Sequence, residues 1–401
     1  CGKTLVALLS ALLIVEDGGQ VAIMAPTELL ARQHAESAAE LLEPLGIRAA
    51  LLSSNVKAEA RRHLLQALKN GEIDILLGTH ALFSKDVRYK NLGLAIVDEQ
   101  HRFGVLQRIS LVEKGEGRSG PDLLLMTATP IPRSLALTVF GDLDVSTIRT
   151  MPLGRKPVAT HLTRLGNEEK VYSWVTREIE NGRQAYFVYP LIQQSSALDL
   201  KDAESAYADL AGHVFPGRKL ALIHSKLPEE TKRHTMTEFK AGRIDILVAT
   251  SVVEVGVNVA NATCMVVEHA DRFGLSALHQ LRGRVGRAEY QSHAFLVYHQ
   301  DAGEDAKARL MAMKEHNDGF AISEMDLNIR GPGELTGIHQ SGRFRLLIAD
   351  IVRDLDLLKL ARHDVDEILT RDPGLLEPQN AIVRQVLERA APFTDDLVSG
   401  G

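Results

Sequence analysis

An internal repeat constrains this chain more than any other feature. The segment Gly71–Thr79 (GEIDILLGT) recurs 171 residues later as Gly242–Thr250 (GRIDILVAT). A second pair recurs at an offset of 170: Ile96-Val97 with Arg102–Gly104, and Val266-Val267 with Arg272–Gly274. Two matches at nearly one offset predict two copies of one structural unit. Chance similarity between strand–turn sequences is the alternative.

The repeated unit alternates short apolar runs with longer helical patterns, which predicts an α/β fold. The predicted strands are Val21–Met24, Ile73–Leu77, Leu94–Val97 and Leu123–Met126. A helical stretch is predicted from Thr27 to Leu42. Continuous apolar runs separated by helices indicate a parallel sheet that is covered on both faces.

A chain of 401 residues has room for two to three domains. Met151–Lys156 is predicted to be a linker, because Pro152 and Pro157 disfavour a helix there. After Gln300 the pattern becomes mostly helical, and the tail from Asp301 holds 12 basic and 19 acidic residues. We therefore predict lobes at 1–150 and 151–300, followed by a tail at 301–401.

Composition excludes several classes of protein. The longest apolar stretch, Leu5–Val15, is interrupted by Ser10 and is too short to span a bilayer. No secretory leader is visible, and Cys1 and Cys264 are too few for a disulfide framework. A net charge of −6 excludes a globally basic nucleic-acid coat. These features predict a soluble protein of a reducing cytoplasm, with no membrane partner.

Gly2, Lys3 and Thr4 begin the chain and are followed by an apolar helix. This is the end of the pattern G-x-x-x-x-G-K-[ST], in which backbone N–H groups, a lysine and a hydroxyl bind phosphate and Mg²⁺. The chain has no starting Met, so we expect the first strand and most of the phosphate loop to precede it. Chance occurrence of the tripeptide is the alternative.

Acidic and hydroxyl residues follow two predicted strands. Asp98 and Glu99 come after Leu94–Val97, and Thr127 and Thr129 come after Leu123–Met126. Ligands of open parallel sheets bind at the carboxyl ends of the strands. We therefore expect Asp98 to hold Mg²⁺ and Glu99 to polarise an attacking water, and the threonines to hydrogen-bond the acidic site. A solvated turn is the alternative for each pair.

Three arginines recur near two glycines in the second half, in the segment QLRGRVGR at 280–287. Guanidinium groups suit phosphate, and glycine lets the backbone approach a ligand. We predict catalytic roles for Gln280, Arg284 and Arg287. The nucleotide site is then divided between two lobes, with Lys3, Asp98 and Glu99 on the first.

These motifs resemble those of superfamily 2 helicases, and within them the RecG family of branched-DNA translocases. The matching segments are Ala25–Arg32, Thr79-His80, Asp98–Val105, Thr127–Leu135, Thr250-Ser251, Leu278–Arg287 and Asp326–Gly342. The resemblance spans essentially the whole chain. It implies two tandem RecA-like parallel-sheet lobes followed by a helical tail.

The resemblance implies ATP and Mg²⁺ as cofactors, with Thr4 and Asp98 as metal ligands. It implies branched or duplex DNA as partner, single-stranded DNA-binding protein as a further candidate, and a monomer. The residues implied to face DNA or couple it to ATP are Pro26, Thr27, Arg32, Thr79, His101, Thr127, Thr129, Thr250, Arg330 and Gln340. A motor that steps along any sequence reads the DNA backbone rather than stacked bases. The sole tryptophan, Trp174, falls on an apolar face with Val171 and Val175 and is predicted to lie in the core.

Two other functions remain open from the sequence. A transcription-repair coupling translocase shares the segment that begins at Asp326. A non-hydrolysing nucleic-acid-binding remnant is the third hypothesis, because only the end of the phosphate loop is present.

Overall fold

The structure is a computed structural model that describes residues 2–53, 56–84, 86–99, 120–127, 144–148, 156–190, 198–250, 259–286, 289–330 and 353–388. Two compact units are present: residues 1–130 with 147–329, and residues 131–146 with 330–401. The first unit holds two separate parallel sheets, which confirms the predicted α/β class with two tandem lobes.

The first sheet has five strands in the order β2-β3-β1-β4-β5, all parallel. Its strands are β1 (Gln20–Met24), β2 (Ala49–Leu52), β3 (Ile75–Gly78), β4 (Leu92–Val97) and β5 (Asp122–Leu125). Its helices are α1 (Lys3–Glu16), α2 (Glu28–Leu42) and α3 (Ala58–Asn70). The central strands are buried on both faces, as their continuous apolar runs predict.

The second sheet has six parallel strands in the order β6-β11-β10-β7-β9-β8. They are β6 (Ala159–Arg164), β7 (Gln184–Tyr189), β8 (Leu220–Ile223), β9 (Ile246–Thr250), β10 (Ala262–Val267) and β11 (His293–Tyr298). The helices are α4 (Glu169–Glu180), α5 (Leu198–Asp209), α6 (Glu229–Lys240), α7 (Leu275–Arg282), α8 (Glu304–Glu315) and α9 (Gly319–Arg330). Leu310, Met313 and Ile322 bring α8 and α9 into the core of this sheet.

The second unit contains α10 (Leu355–Arg371) and a helical stretch at 381–388. The carboxylate of Asp372 accepts bonds from the amides of Leu376 and Glu377 and from the side chain of Asn380. That carboxylate fixes the turn that ends α10. Within the described residues, no helix combines the length and the apolar character that a bilayer crossing requires.

The two sheets repeat each other down to individual hydrogen bonds. β1 and β7 each begin with a buried glutamine, Gln20 and Gln184. Each side-chain amide donates to two carbonyls at 2.6–2.9 Å: Gln20 to those of Leu68 and Ile73, Gln184 to those of Phe239 and Ile244. An aspartate before β3 and one before β9 likewise accept from an amide 26 residues upstream, Asp74 from Arg48 and Asp245 from Lys219. The repeat is therefore structural and not chance similarity.

Two imidazoles meet on the β6–β11 edge of the second sheet. Nε2 of His161 and Nδ1 of His293 share a hydrogen bond at 3.1 Å, and burial is the main cause that lowers the pKa of both rings. Trp174 lies against His293 with ring centroids 4.8 Å apart and is 38% exposed. The prediction that Trp174 lies in the core is therefore wrong. Its helix neighbours Val171 and Val175 are buried, whereas Trp174 itself is exposed.

We predict that Gln20→Leu lowers the free energy of unfolding by about 2–4 kcal/mol. Besides the two carbonyls, Oε1 of Gln20 accepts from the amides of Lys90 and Asn91, so the change leaves four backbone groups without this partner. Urea unfolding followed by circular dichroism measures the loss. Gln66→Leu, the same change on the exposed face of α3, should shift the free energy by less than about 0.5 kcal/mol. Equal losses would contradict the prediction.

We predict that acidification destabilises the protein through the His161–His293 pair. Because the pKa of each ring is below its ordinary value of 6.5, the unfolded chain binds more protons than the folded one as the pH falls past 6.5. The contribution of this pair to stability should therefore fall between pH 7.5 and 5.5, and His161→Gln should reduce the loss of stability on acidification. His63→Gln, on the surface of α3, is the matched control. Identical pH slopes for the wild type and His161→Gln would refute this role.

Candidate functional site

Predicted site residues of the first lobe lie along one edge of its sheet. Pro26 and Thr27 follow β1, Thr79 follows β3, and Thr127 lies two residues after β5. Backbone bonds join the strand ends: the amide of Asp98 donates to the carbonyl of Met24 at 2.9 Å. Since the strands are parallel, these carboxyl ends meet at a single edge. The structure brings the residues together there, and their individual roles stay predictions.

Gly2, Lys3 and Thr4 lie at the amino end of α1. Gly2 adopts φ +82°, a left-handed conformation that favours glycine, and α1 begins at Lys3. α1 packs on the sheet through Ala7, Leu8 and Ala11. Its first turn presents backbone N–H groups and the positive end of the helix dipole, an arrangement that binds anions. Lys3 and Thr4 are half-buried in this turn.

Asp98 is buried and yet is held in its charged form. Burial by itself raises the pKa of Asp98, but this effect is outweighed and the pKa lies below its usual value. Nε2 of His34 lies 2.9 Å from Oδ2, the positive charge of Lys3 lies nearby, and the amide of Glu99 donates to Oδ1 at 2.9 Å. A carboxylate can only accept, so the His34 ring donates. An ionised carboxylate next to a lysine at a helix N-terminus suits a metal-bound phosphate.

Glu99 lies in a strained backbone conformation, with φ +52°. Left-handed φ is uncommon for residues other than glycine, and costs of about 1–3 kcal/mol recur at functional sites. The bond from its amide to Asp98 stabilises this conformation. Its side chain is half-buried.

α2 begins at the same edge. Thr27 is its N-cap, and its hydroxyl accepts from the amide of Leu30 at 3.4 Å. Arg32 is half-buried one turn further on. Leu29, in the first turn, packs against the core of the second sheet. α2 thus touches both lobes of the first unit.

Thr250, the last residue of β9, is only 1% exposed. Its hydroxyl is buried without a hydrogen-bond partner in the part of the chain that the structure describes. A buried hydroxyl in that state costs about 1–3 kcal/mol, and a bound polar group would remove the cost. This is the one predicted DNA-facing residue of the second lobe.

Gln280 lies in the last turn of α7, and Arg284 lies just after the helix; both are half-buried. The amide of Arg284 donates to the carbonyl of Leu281 at 3.0 Å. Gly286 adopts φ +75°, and a Cβ there would lie 2.6 Å from Cγ2 of Val158. Only glycine fits this position, so the turn packs closely against the start of β6. How near Arg284 approaches the first lobe's site stays a prediction.

Arg282 differs from its neighbours. Its side chain is buried, and Nη1 donates to the carbonyls of Met313 at 2.7 Å and His316 at 2.8 Å. Burial lowers its pKa to about 10. Arg282, which shares the segment with Arg284 and Arg287 but was given no predicted role, thus uses its guanidinium to bond the carbonyls at the end of α8.

Several predicted residues lie outside the described residues: His101, Thr129, Arg287 and Gln340. Arg330 ends α9, but its side chain is likewise outside the description.

Sequence reasoning missed two residues of interest. His34 falls on the apolar face of α2, with Leu30, Ala31 and Ala38, where a histidine usually indicates only packing. The second missed residue is Glu268, which the internal repeat could have revealed. At an offset of 170, Glu268 corresponds to Asp98 and His269 corresponds to Glu99. His269 has φ +49°, almost the angle of Glu99, and the amide of Glu268 donates to the carbonyl of Val188 at 2.9 Å.

Three family models match the chain. Residues 1–138 match the DEAD/DEAH box helicase model, and residues 170–289 match the helicase conserved C-terminal domain. Residues 316–392 match domain 3, C-terminal, of the ATP-dependent DNA helicase RecG. Solved structures at low identity, such as yeast Dbp5 bound to RNA and ADP BeF3, share the fold alone: identity is 16%, TM-score is 0.56, and 82% of this chain and 86% of that chain are covered.

Curated relatives agree with this. The ATP-dependent DNA helicase RecG of Treponema pallidum is 55% identical over 384 residues, covering 94% of this chain and 56% of the relative. The Bacillus subtilis RecG is 47% identical over 399 residues, covering 99% and 58%. The chain therefore spans about half the length of the curated relatives that it matches. A solved RecG bound to a three-way DNA junction is 46% identical with a TM-score of 0.71, covering 89% of this chain and 46% of that one. The chain belongs to the RecG family of ATP-dependent DNA helicases.

Proposed function

We propose that the chain is the motor of an ATP-dependent DNA translocase that remodels branched DNA, such as stalled forks and Holliday junctions. The single observation that carries the proposal is the ionised Asp98 at the carboxyl edge of the first sheet, next to Lys3 at the start of α1. Family membership supports DNA as the substrate, since the RecG relative of known structure is bound to a three-way junction.

The residues of the first lobe fit a magnesium nucleotide. Lys3 and the amides of the first turn of α1 would bind phosphate oxygens, and Thr4 and Asp98 would hold Mg²⁺, which neutralises phosphate charge when bound. Glu99 orients the attacking water and accepts its proton. Glu99 is half-buried and lies in the strained turn after β4. The fit rests on the donor set, in which the buried carboxylate stays charged.

The second lobe supplies the groups that complete hydrolysis in this proposal. Arg284, Arg287 and Gln280 approach the γ-phosphate when the lobes close. The positive charge of the two arginines stabilises the transition state, and the neutral amide of Gln280 can only hydrogen-bond. Hydrolysis then releases the lobes. Because neither lobe holds all these groups, ATP use is tied to lobe movement.

DNA contacts in this proposal follow the carboxyl edges of both sheets. Pro26, Thr27, Arg32, Thr79, His101, Thr127, Thr129 and Thr250 face the phosphodiester backbone. Such contacts come from hydroxyls, backbone amides and arginine, and they carry no sequence information. Arg330 and Gln340 transmit lobe closure to the duplex. The protein acts as a cytoplasmic monomer with lobes at 1–150 and 151–300 and a tail at 301–401, and single-stranded DNA-binding protein is its candidate protein partner.

We predict that Glu99→Gln in the full-length gene product lowers kcat for DNA-stimulated ATP hydrolysis by about 10²–10⁴-fold. The amide keeps the size of the side chain and loses the base, so ADP affinity should stay within about twofold. A coupled ATPase assay with a synthetic three-way junction measures turnover, and a fluorescent ADP analogue measures binding. Glu40→Gln, an exposed change on α2, should leave both unchanged. Wild-type turnover by Glu99→Gln would exclude Glu99 as the base for the attacking water.

We predict that Arg284→Ala lowers DNA-stimulated turnover by roughly 10³-fold or more, with ATP affinity changed far less. The reason is that its charge acts on the transition state and not on the bound ground state. Single-turnover ATP hydrolysis separates the two effects. Arg309→Ala, which removes a guanidinium bound to the carbonyl of Asp271, is the control for loss of charge. Similar rates for the wild type and Arg284→Ala would exclude a catalytic role for Arg284.

A further inference from the structure

We infer that His34 is a positioning residue for the nucleotide site: its ring fixes Asp98 in the orientation that binds the metal nucleotide and ties that orientation to the position of α2. The inference deepens the proposed function and rests on it. The ring nitrogen Nε2 lies 2.9 Å from Oδ2 of Asp98, and the residues are 64 positions apart in the chain. The bond therefore joins α2 to the end of β4.

The packing of α2 holds the ring in one place. His34 is 8% exposed, and Ala31 and Ala38, one turn away on either side, leave room for an imidazole between helix and sheet. Ala38 and Leu42 anchor the same face of α2 in the core of the first sheet. The other carboxylate oxygen of Asp98 accepts from the amide of Glu99. Both oxygens are thus directed, and the carboxylate cannot rotate freely.

The repeat provides an internal comparison that lacks this histidine. Glu268 occupies the place of Asp98 at the end of β10, with the matching backbone bond and the matching left-handed residue after it. It is 4% exposed, and its Oε1 has no hydrogen-bond partner among the described residues. Burial and the charge of Glu168 raise the pKa of Glu268 to about 7. The same fold position therefore carries a poorly ionised carboxyl, and no imidazole among the described residues hydrogen-bonds to it.

α2 also connects Asp98 to the proposed DNA-binding edge and to the second lobe. Its N-cap, Thr27, lies where DNA is proposed to bind, and Leu29 packs against the core of the second sheet. His34 follows Leu29 by five residues on the same rigid helix. A hydrogen bond of 2.9 Å weakens steeply with distance, so a shift of α2 by about 1 Å is enough to release Asp98. DNA binding and lobe position are thereby linked to the metal ligand.

Three substitutions separate the hydrogen bond from packing. His34→Gln keeps a side-chain N–H donor, His34→Leu fills the space without one, and His34→Ala removes both. The first measurement needs no turnover: binding of a fluorescent ADP analogue to the full-length gene product as Mg²⁺ is varied. We expect His34→Leu to raise the half-saturating Mg²⁺ concentration by roughly 10-fold or more, and His34→Gln to stay within about threefold of the wild type.

The second measurement is ATP turnover with a three-way junction. We expect kcat to fall by about 10–100-fold in His34→Leu, with a much smaller change in the KM for DNA, and to be largely restored in His34→Gln. Glu40→Gln is the exposed control on the same helix. Urea unfolding of the nucleotide-free variants reports whether each is folded. If His34→Leu does not fold, the inference is tested with His34→Gln alone. Wild-type behaviour of His34→Leu, or a wild-type-like His34→Ala, would overturn the inference, and so would loss of Mg²⁺ affinity in folded His34→Gln.

A double-mutant cycle tests whether the position of α2 is coupled to Asp98 through His34. If the coupling passes through His34, Leu29→Ala lowers DNA stimulation by severalfold in the wild type and adds nothing in His34→Leu. Additive losses would overturn the coupling. Failure of the proposed function has a different signature: a wild type that does not hydrolyse ATP with branched DNA, while the Mg²⁺-dependent binding of ADP still reports on His34.

Discussion

Everything at the candidate site depends on a buried carboxylate that stays ionised. A carboxyl group at the end of a central parallel strand loses hydration, and burial alone would favour its neutral form. In Asp98 a donated hydrogen bond from His34, the charge of Lys3 and the amide of Glu99 outweigh that loss. These groups lie in α2, in α1 and in the turn after β4, so Asp98 can be buried and still ionised only while the folded first lobe keeps them in place.

The two sheets share one architecture, but the acidic residues at the ends of β4 and β10 lie in different environments. Both sheets share the anchoring glutamine, the aspartate before the next strand and the left-handed turn after the acidic residue. These features belong to the scaffold, because they satisfy buried backbone groups in both copies. What differs is the environment of the acidic residue. Asp98 is hydrogen-bonded and charged, whereas burial pushes Glu268 towards the neutral form.

The arginine segment after α7 shows a similar division between structure and chemistry. Arg282 bonds the carbonyls at the end of α8 and so connects α7 to the helices that follow the second sheet. Arg284 lies two residues later, in a turn that Gly286 packs against β6. Adjacent guanidinium groups can therefore serve different purposes, since a buried arginine is satisfied by carbonyls and a half-buried one can reach a ligand.

The sequence by itself determined the α/β class, the two sheets and most of the edge that carries the site. It could do so because apolar runs, strand ends and repeated segments are local patterns, as in Val21–Met24 and Leu94–Val97. Only the tertiary structure decided the hydrogen bond between His34 and Asp98, the exposure of Trp174 and the structural use of Arg282. Those outcomes depend on contacts between side chains that lie roughly 30 to 130 residues apart in the chain. Local sequence patterns do not specify such long-range contacts.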